Sequence, residues 1–161
     1  MIKGFLAAVR GASRILNVIA GAALVGLMVL TVLDVLLRAF KRPVVGTYEL
    51  VAFMGAVAIG LALPMTAWNK GHINVDSLIA ALPARGRNTF NVITRLMGIA
   101  FFLLAGWNLF LVGKNLKSVG EVSPTLQLPF YPVAYGIGVS CFVLCAVLIA
   151  NICQIFRGEY E

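Results

Sequence analysis

Charge is scarce in this chain. Of 161 residues only 12% are Asp, Glu, Lys or Arg, with a single histidine, while 61% are hydrophobic. Soluble domains are about half apolar and one-quarter charged, so a mean hydropathy of +0.97 points to lipid as the main solvent. The one histidine, His72, lies outside the apolar runs, which excludes bis-histidine haem ligation by this chain alone. Cysteine is nearly as rare: Cys141, Cys145 and Cys153 all fall in the last apolar run. A disulfide framework has no place there, and with no histidine nearby they read as small apolar side chains. The sequence has no Gly-x-Ser-x-Gly, phosphate loop, dinucleotide fingerprint or His-Glu-x-x-His, so neither an enzyme nor a bound cofactor is expected. Alternating segments of ~10 residues are also missing, which excludes a membrane barrel.

What the chain has in quantity is uninterrupted apolar sequence. Ile15 to Leu33, Leu50 to Trp68, Leu96 to Val112 and Phe130 to Ile152 carry no charge. Each is about 20 residues long, enough at ~1.5 Å per residue to cross a hydrocarbon core of ~30 Å. Lipid offers no hydrogen bonds, so each run must satisfy its backbone within itself, and a helix does so. The fold class is therefore an all-α integral membrane protein in one domain. Spans are expected at about 15–37, 48–68, 90–112 and 130–155. The first exceeds the apolar core of a secretory signal and runs into Asp34 and Arg38 instead of a cleavage site, so it reads as a retained helix.

A formal charge of +7 does not mark a nucleic-acid partner, because the 13 basic residues flank the apolar runs instead of gathering on one face. Four spans place Lys3, Arg10, Arg14, Lys70, Arg85, Arg87, Arg95 and Arg157 on one side, against Arg38, Lys41, Arg42, Lys114 and Lys117 on the other. The excess predicts cytoplasmic termini. In the middle loop Val75, Leu78, Ile79 and Leu82 repeat with helical period, with Asn74 to cap and Pro83 to end them. A short interfacial helix at about 74–82 is expected on the cytoplasmic side.

Three groups of residues stand out. Asp34 and Arg38 are i, i+4 partners at the end of the first span, and Glu49 begins the second on the same side. They read as a clamp in which Arg38 also meets Glu49, or as a contact for a partner. Lys70, Gly71, His72 and Asp76 read as a structured cytoplasmic turn; a lone His near an Asp is too few ligands for a metal. Ser123, Pro124, Leu126, Leu128 and Pro129 should be extended, since each proline turns its predecessor away from helix. With Phe130 they form either an ordinary loop or an exposed docking ledge. Within the spans, Asn17, Thr31, Thr66, Asn108 and Ser140 are uncharged and read first as helix-to-helix hydrogen bonds.

The hairpin from Asp34 through Arg38 to Tyr48-Glu49-Leu50, the Pro64 to Leu78 stretch with Lys70-Gly71-His72-Ile73-Asn74-Val75-Asp76, and Ser123-Pro124-Thr125-Leu126 through Pro129 together carry a resemblance. The chain resembles, almost end to end, the small DctQ-like membrane subunit of tripartite ATP-independent periplasmic (TRAP) transporters. The resemblance implies a bacterial inner-membrane scaffold beside a large membrane subunit that holds the substrate and sodium sites. It also implies a periplasmic binding protein that delivers a carboxylate, such as a dicarboxylate or sialic acid. Two rivals belong to other classes: a self-sufficient homo-oligomeric transporter using Gly21, Gly55 and Gly60 for close helix approach, and a respiratory-complex membrane anchor.

Overall fold

The computed structural model describes the backbone of residues 2–69 and 84–156, and the side chains of residues 4–69, 90 and 92–153. Four helices account for most of it: α1 Ile2–Ala39, α2 Thr47–Trp68, α3 Ala84–Val119 and α4 Tyr131–Phe156. All four are long and apolar enough to cross a membrane, as the charge-free runs predict. The interfacial helix expected at 74–82 lies outside the described residues.

Two helices run on past the expected spans. α1 has 38 residues, roughly 57 Å at the helical rise, and α3 has 36. Arg14, Lys114 and Lys117 end the apolar runs without ending the helices, because Arg and Lys are good helix formers and only the part inside lipid must be apolar. The early turns of α1 are used in packing: Val9 joins Ala67, Leu144 and Val147 in the core. Ser13 beside it is fully buried and donates to its own Val9 carbonyl at 2.9 Å.

α4 is the centre of the fold and its most enclosed helix, packed on α3 and α2, while α1 lies against α2 and reaches α4 as well. The pairs Phe53–Phe130, Gly60–Ser140 and Ala67–Asn151 occur in the same order along α2 and α4, so these two helices are parallel. α1 and α3 flank them and show long apolar faces outward, with Val25, Met28 and Val32 on one and Met97, Leu104 and Trp107 on the other.

The α2–α4 contact repairs a defect in α2. Pro64 sits inside α2 and has no N–H, so the carbonyl four residues earlier, at Gly60, loses its helical partner. The Ser140 hydroxyl donates to that carbonyl at 2.6 Å from α4. Asn151 adds a second contact, donating to the Ala67 carbonyl in the last turn of α2, Nδ2 to O at 3.3 Å. Ser140→Ala should therefore leave a fully buried carbonyl unpaired, at about 1–3 kcal/mol, whereas Thr66→Ala should cost far less. Thermal denaturation in detergent compares the two. Thr66 and Thr31 were expected to bond between helices, but each turns back to its own chain, on the carbonyls of Ala62 and Leu27. A threonine hydroxyl already stands beside the carbonyl one turn back, and needs no neighbour.

The α3–α4 contact is a seam of glycines. A Cβ on Gly106 would lie 3.4 Å from the Gly138 carbonyl oxygen, and one on Gly138 would lie 3.5 Å from that of Gly106. Phe110 lies across Gly138 and the Tyr135 ring across Gly113. Because lipid and leucine are equally apolar, helices in a bilayer associate through such close packing.

Candidate functional site

Both described turns lie at the same end of the fold, where α1 hands over to α2 and α3 to α4. α1 closes with the Arg42 N–H on the Leu37 carbonyl and the Lys41 N–H on that of Arg38, with Lys41 left-handed at φ 60°. This is the helix stop that glycine usually provides. α3 ends alike, with Gly120 at φ 70° and the Glu121 N–H on the Leu116 carbonyl. Beyond the end of α1 the chain continues through Pro43 to Gly46, which begins α2 at φ 76°.

Asp34 ties the first turn. Its Oδ2 accepts from Arg38 Nε at 2.7 Å and its Oδ1 from the Val44 N–H at 3.0 Å. Thr47 closes the loop by donating to the Val44 carbonyl at 2.9 Å. The carboxylate is buried, yet both oxygens are occupied by donors, the condition for keeping a charge out of water. The Arg38 guanidinium lies 5.6 Å from the centre of the exposed Tyr48 ring, held between an acid and an aromatic face. The i, i+4 pair read from the sequence is thus formed.

Glu49 does not join it. Among the described residues the ion pair at this end is Arg38 with Asp34, and Glu49 turns to the opposite turn. Its Oε2 accepts from the Ser123 hydroxyl at 2.6 Å and from the Leu126 N–H at 2.9 Å, and its Oε1 from the Thr125 N–H at 2.7 Å. The expected Arg38–Glu49 contact gives way because three donors converge on Glu49, while Asp34 sits one helical turn from Arg38.

The 123–129 segment is folded back, not extended. Val122 and Pro129 form an antiparallel bridge, the Ser123 N–H reaches the Leu128 carbonyl at 2.9 Å, and the Gln127 N–H reaches Ser123 O at 3.1 Å. Gln127 makes the reversal at φ 53°. Pro124 and Pro129 keep the segment out of helix, as expected, and the residues between them bring the ends together. Ser123 is the pin: its hydroxyl oxygen accepts from the Leu128 N–H at 3.2 Å while donating to Glu49. The expected apolar ledge is also largely covered. Leu126 lies on Gly46, Phe130 stacks on Phe53 with ring centres 5.1 Å apart, and Leu128 and Pro129 are half-buried, leaving Pro124 exposed.

The structure thus joins Asp34 with Arg38, and Glu49 with Ser123 and Leu126. Lys70, Gly71, His72 and Asp76 lie outside the described residues. Sequence reasoning missed Gly46, Val44 and the amides of Thr125 and Leu126, whose contributions are backbone and carry no residue signature. Among the described residues no three His, Cys, Asp or Glu side chains gather as metal ligands. Cys141 and Cys145 are free and buried in α4, Cys141 against Gly106 and Cys145 near the Ile99 carbonyl of α3.

Among the described residues the arrangement binds helices to one another, and the cavity between α2 and α4 lined by Val57, Leu61, Pro132, Val133, Gly136 and Ile137 is apolar. No curated protein matches the chain at a significant level. A family model described as "Tripartite ATP-independent periplasmic transporters, DctQ component" matches residues 27–158, which include all of the turn network described above. The chain belongs to the DctQ family, the small membrane component of these transporters.

Proposed function

We propose that this chain is the static scaffold of a sodium-coupled, binding-protein-dependent transporter that takes up a carboxylate across a bacterial inner membrane. In this reading α1–α4 hold a large membrane subunit, which carries substrate and ions, in a fixed position in the bilayer. The observation that carries the reading is where the polar groups go. Asp34 is matched by Arg38, Ser140 and Asn151 donate to backbone carbonyls of α2, and Thr31 and Thr66 bond within their own helices. A transport path would need ionisable or unmatched groups facing a cavity within the spans. The apolar outer faces of α1 and α3 supply surface for lipid and for the large subunit. The Lys and Arg distribution supports a topology with both termini in the cytoplasm, in which the Glu49 network faces the periplasm and the binding protein.

The test is co-purification of the tagged chain from its native membrane in mild detergent, followed by mass spectrometry. A large multi-span protein at equal stoichiometry is expected, and uptake in proteoliposomes should require both chains, sodium and the binding protein. Recovery of this chain alone, with uptake by it alone, would sink the scaffold and favour a homo-oligomeric transporter.

A further inference from the structure

The donors around Glu49 come from one short segment. Ser123 Oγ, the Thr125 N–H and the Leu126 N–H all belong to the 123–129 turn, and they divide between the two oxygens of a single carboxylate. The turn holds its shape through bonds that do not involve Glu49: Ser123 N–H to Leu128 O, Gln127 N–H to Ser123 O, and Leu128 N–H to Ser123 Oγ. Its shape thus rests in part on bonds of its own. Successive main-chain N–H groups pointing into one concavity form an anion-binding nest. Two of the donors meet one oxygen and the third meets the other, the pattern that a planar, two-oxygen carboxylate satisfies. It is also reachable, because the Thr125 side of the contact is exposed while the Ser123 and Leu126 sides are half-buried.

We infer that the 123–129 turn is a carboxylate receptor, that Glu49 is its resident ligand supplied by α2, and that a small carboxylate from solution takes its place when the side chain is removed. The chemistry fixes which one. Glu49→Ala deletes a methylene, a carboxyl carbon and two oxygens, the heavy-atom set of acetate. Glu49→Gly deletes one carbon more and leaves room for propionate. Glu49→Gln fills the same space but puts an NH2 group against N–H and O–H donors, so it frees no cavity.

The experiment is hydrogen–deuterium exchange at Thr125 and Leu126, followed by mass spectrometry on the 161-residue chain in lipid nanodiscs. Exchange in Glu49→Ala should quicken about tenfold, the loss expected when amides lose charged acceptors. Added acetate should return it toward the wild-type rate, while chloride and sulfate at equal ionic strength should not. Glu49→Gln should exchange faster than wild type and ignore acetate. Wild-type exchange in Glu49→Ala without acetate, or equal rescue by all three salts, would overturn the proposal. Should Glu49→Ala accumulate only when acetate is present, the receptor is supported. Should it fail in every salt, Glu49→Gln decides: faster exchange supports the receptor, and an unchanged rate overturns it.

Discussion

Gly46→Val is expected to destabilise the chain by about 2–4 kcal/mol, the combined scale of a left-handed non-glycine residue and an overpacked contact. Two separate obstacles meet at this position. Gly46 holds φ 76° at the start of α2, where a β-branched residue is strained whatever the space around it. A Cβ would also stand 2.6 Å from Leu126 Cδ1 and closer still to Leu126 Cγ, near the root of that side chain, where a rotamer change gives little relief. The double variant Gly46→Ala with Leu126→Ala separates the two. It should recover the steric part and keep the dihedral part. Thermal denaturation of purified protein in detergent reads both, and a tolerated Gly46→Val would mean that the two turns are not locked together as described.

Gly138→Leu should be as damaging, at about 3 kcal/mol or more, and should act on the seam between α3 and α4. A side chain there meets Phe110 at 2.8 Å and the Gly106 backbone at 3.5 Å. Phe110 is hemmed on two sides, by Tyr135 and Phe142 with ring centres at 5.4 and 5.7 Å. α3 must then move off α4, opening the contact around Cys141. The comparison is Gly136→Leu, two residues away on the same helix, where an added Cβ meets nothing within 4 Å. Gly136 lines an apolar cavity with Val57, Leu61 and Ile137, so that change should be tolerated or stabilise by up to about 1 kcal/mol through helix propensity. Equal destabilisation by the two would show that the seam at Gly138 is not the cause.

The helices themselves were legible, because a charge-free run of about 20 residues leaves the backbone one inexpensive option in lipid. Asp34 and Arg38 could be paired on paper because helical geometry fixes residues four apart. Glu49 could not be placed in the same way. Its partners are two main-chain amides and one serine some seventy residues away, and an amide looks the same in every residue. The prolines of the 123–129 segment announced a departure from helix, but not the reversal at Gln127, which no glycine marks. Glycines were equally opaque. Within the chain, a Cβ at Gly21 meets nothing within 4 Å and one at Gly55 makes only ordinary contact with Leu27 at 3.7 Å. Gly60 is tight against Ile137, where a Cβ would come within 2.7 Å, and the α3–α4 seam adds Gly106, Gly113 and Gly138. Which face of a helix meets a neighbour depends on the neighbour, and an isolated apolar run does not say.

The repaired break at Pro64 sets a discrete register between α2 and α4. Sliding α4 by one helical turn, ~5.4 Å, would bring Gly136 or Leu144 to the Gly60 carbonyl in place of Ser140, and neither has a hydroxyl. The same step would bring Val147 or Ile155 to Ala67 in place of Asn151. The Ser140 bond would be lost with no hydroxyl three or four residues away to replace it, and of the corresponding positions around Asn151 only Gln154 carries an amide. α2 and α4 therefore behave as a toothed pair with one seated position, able to transmit an axial load without creeping along one another.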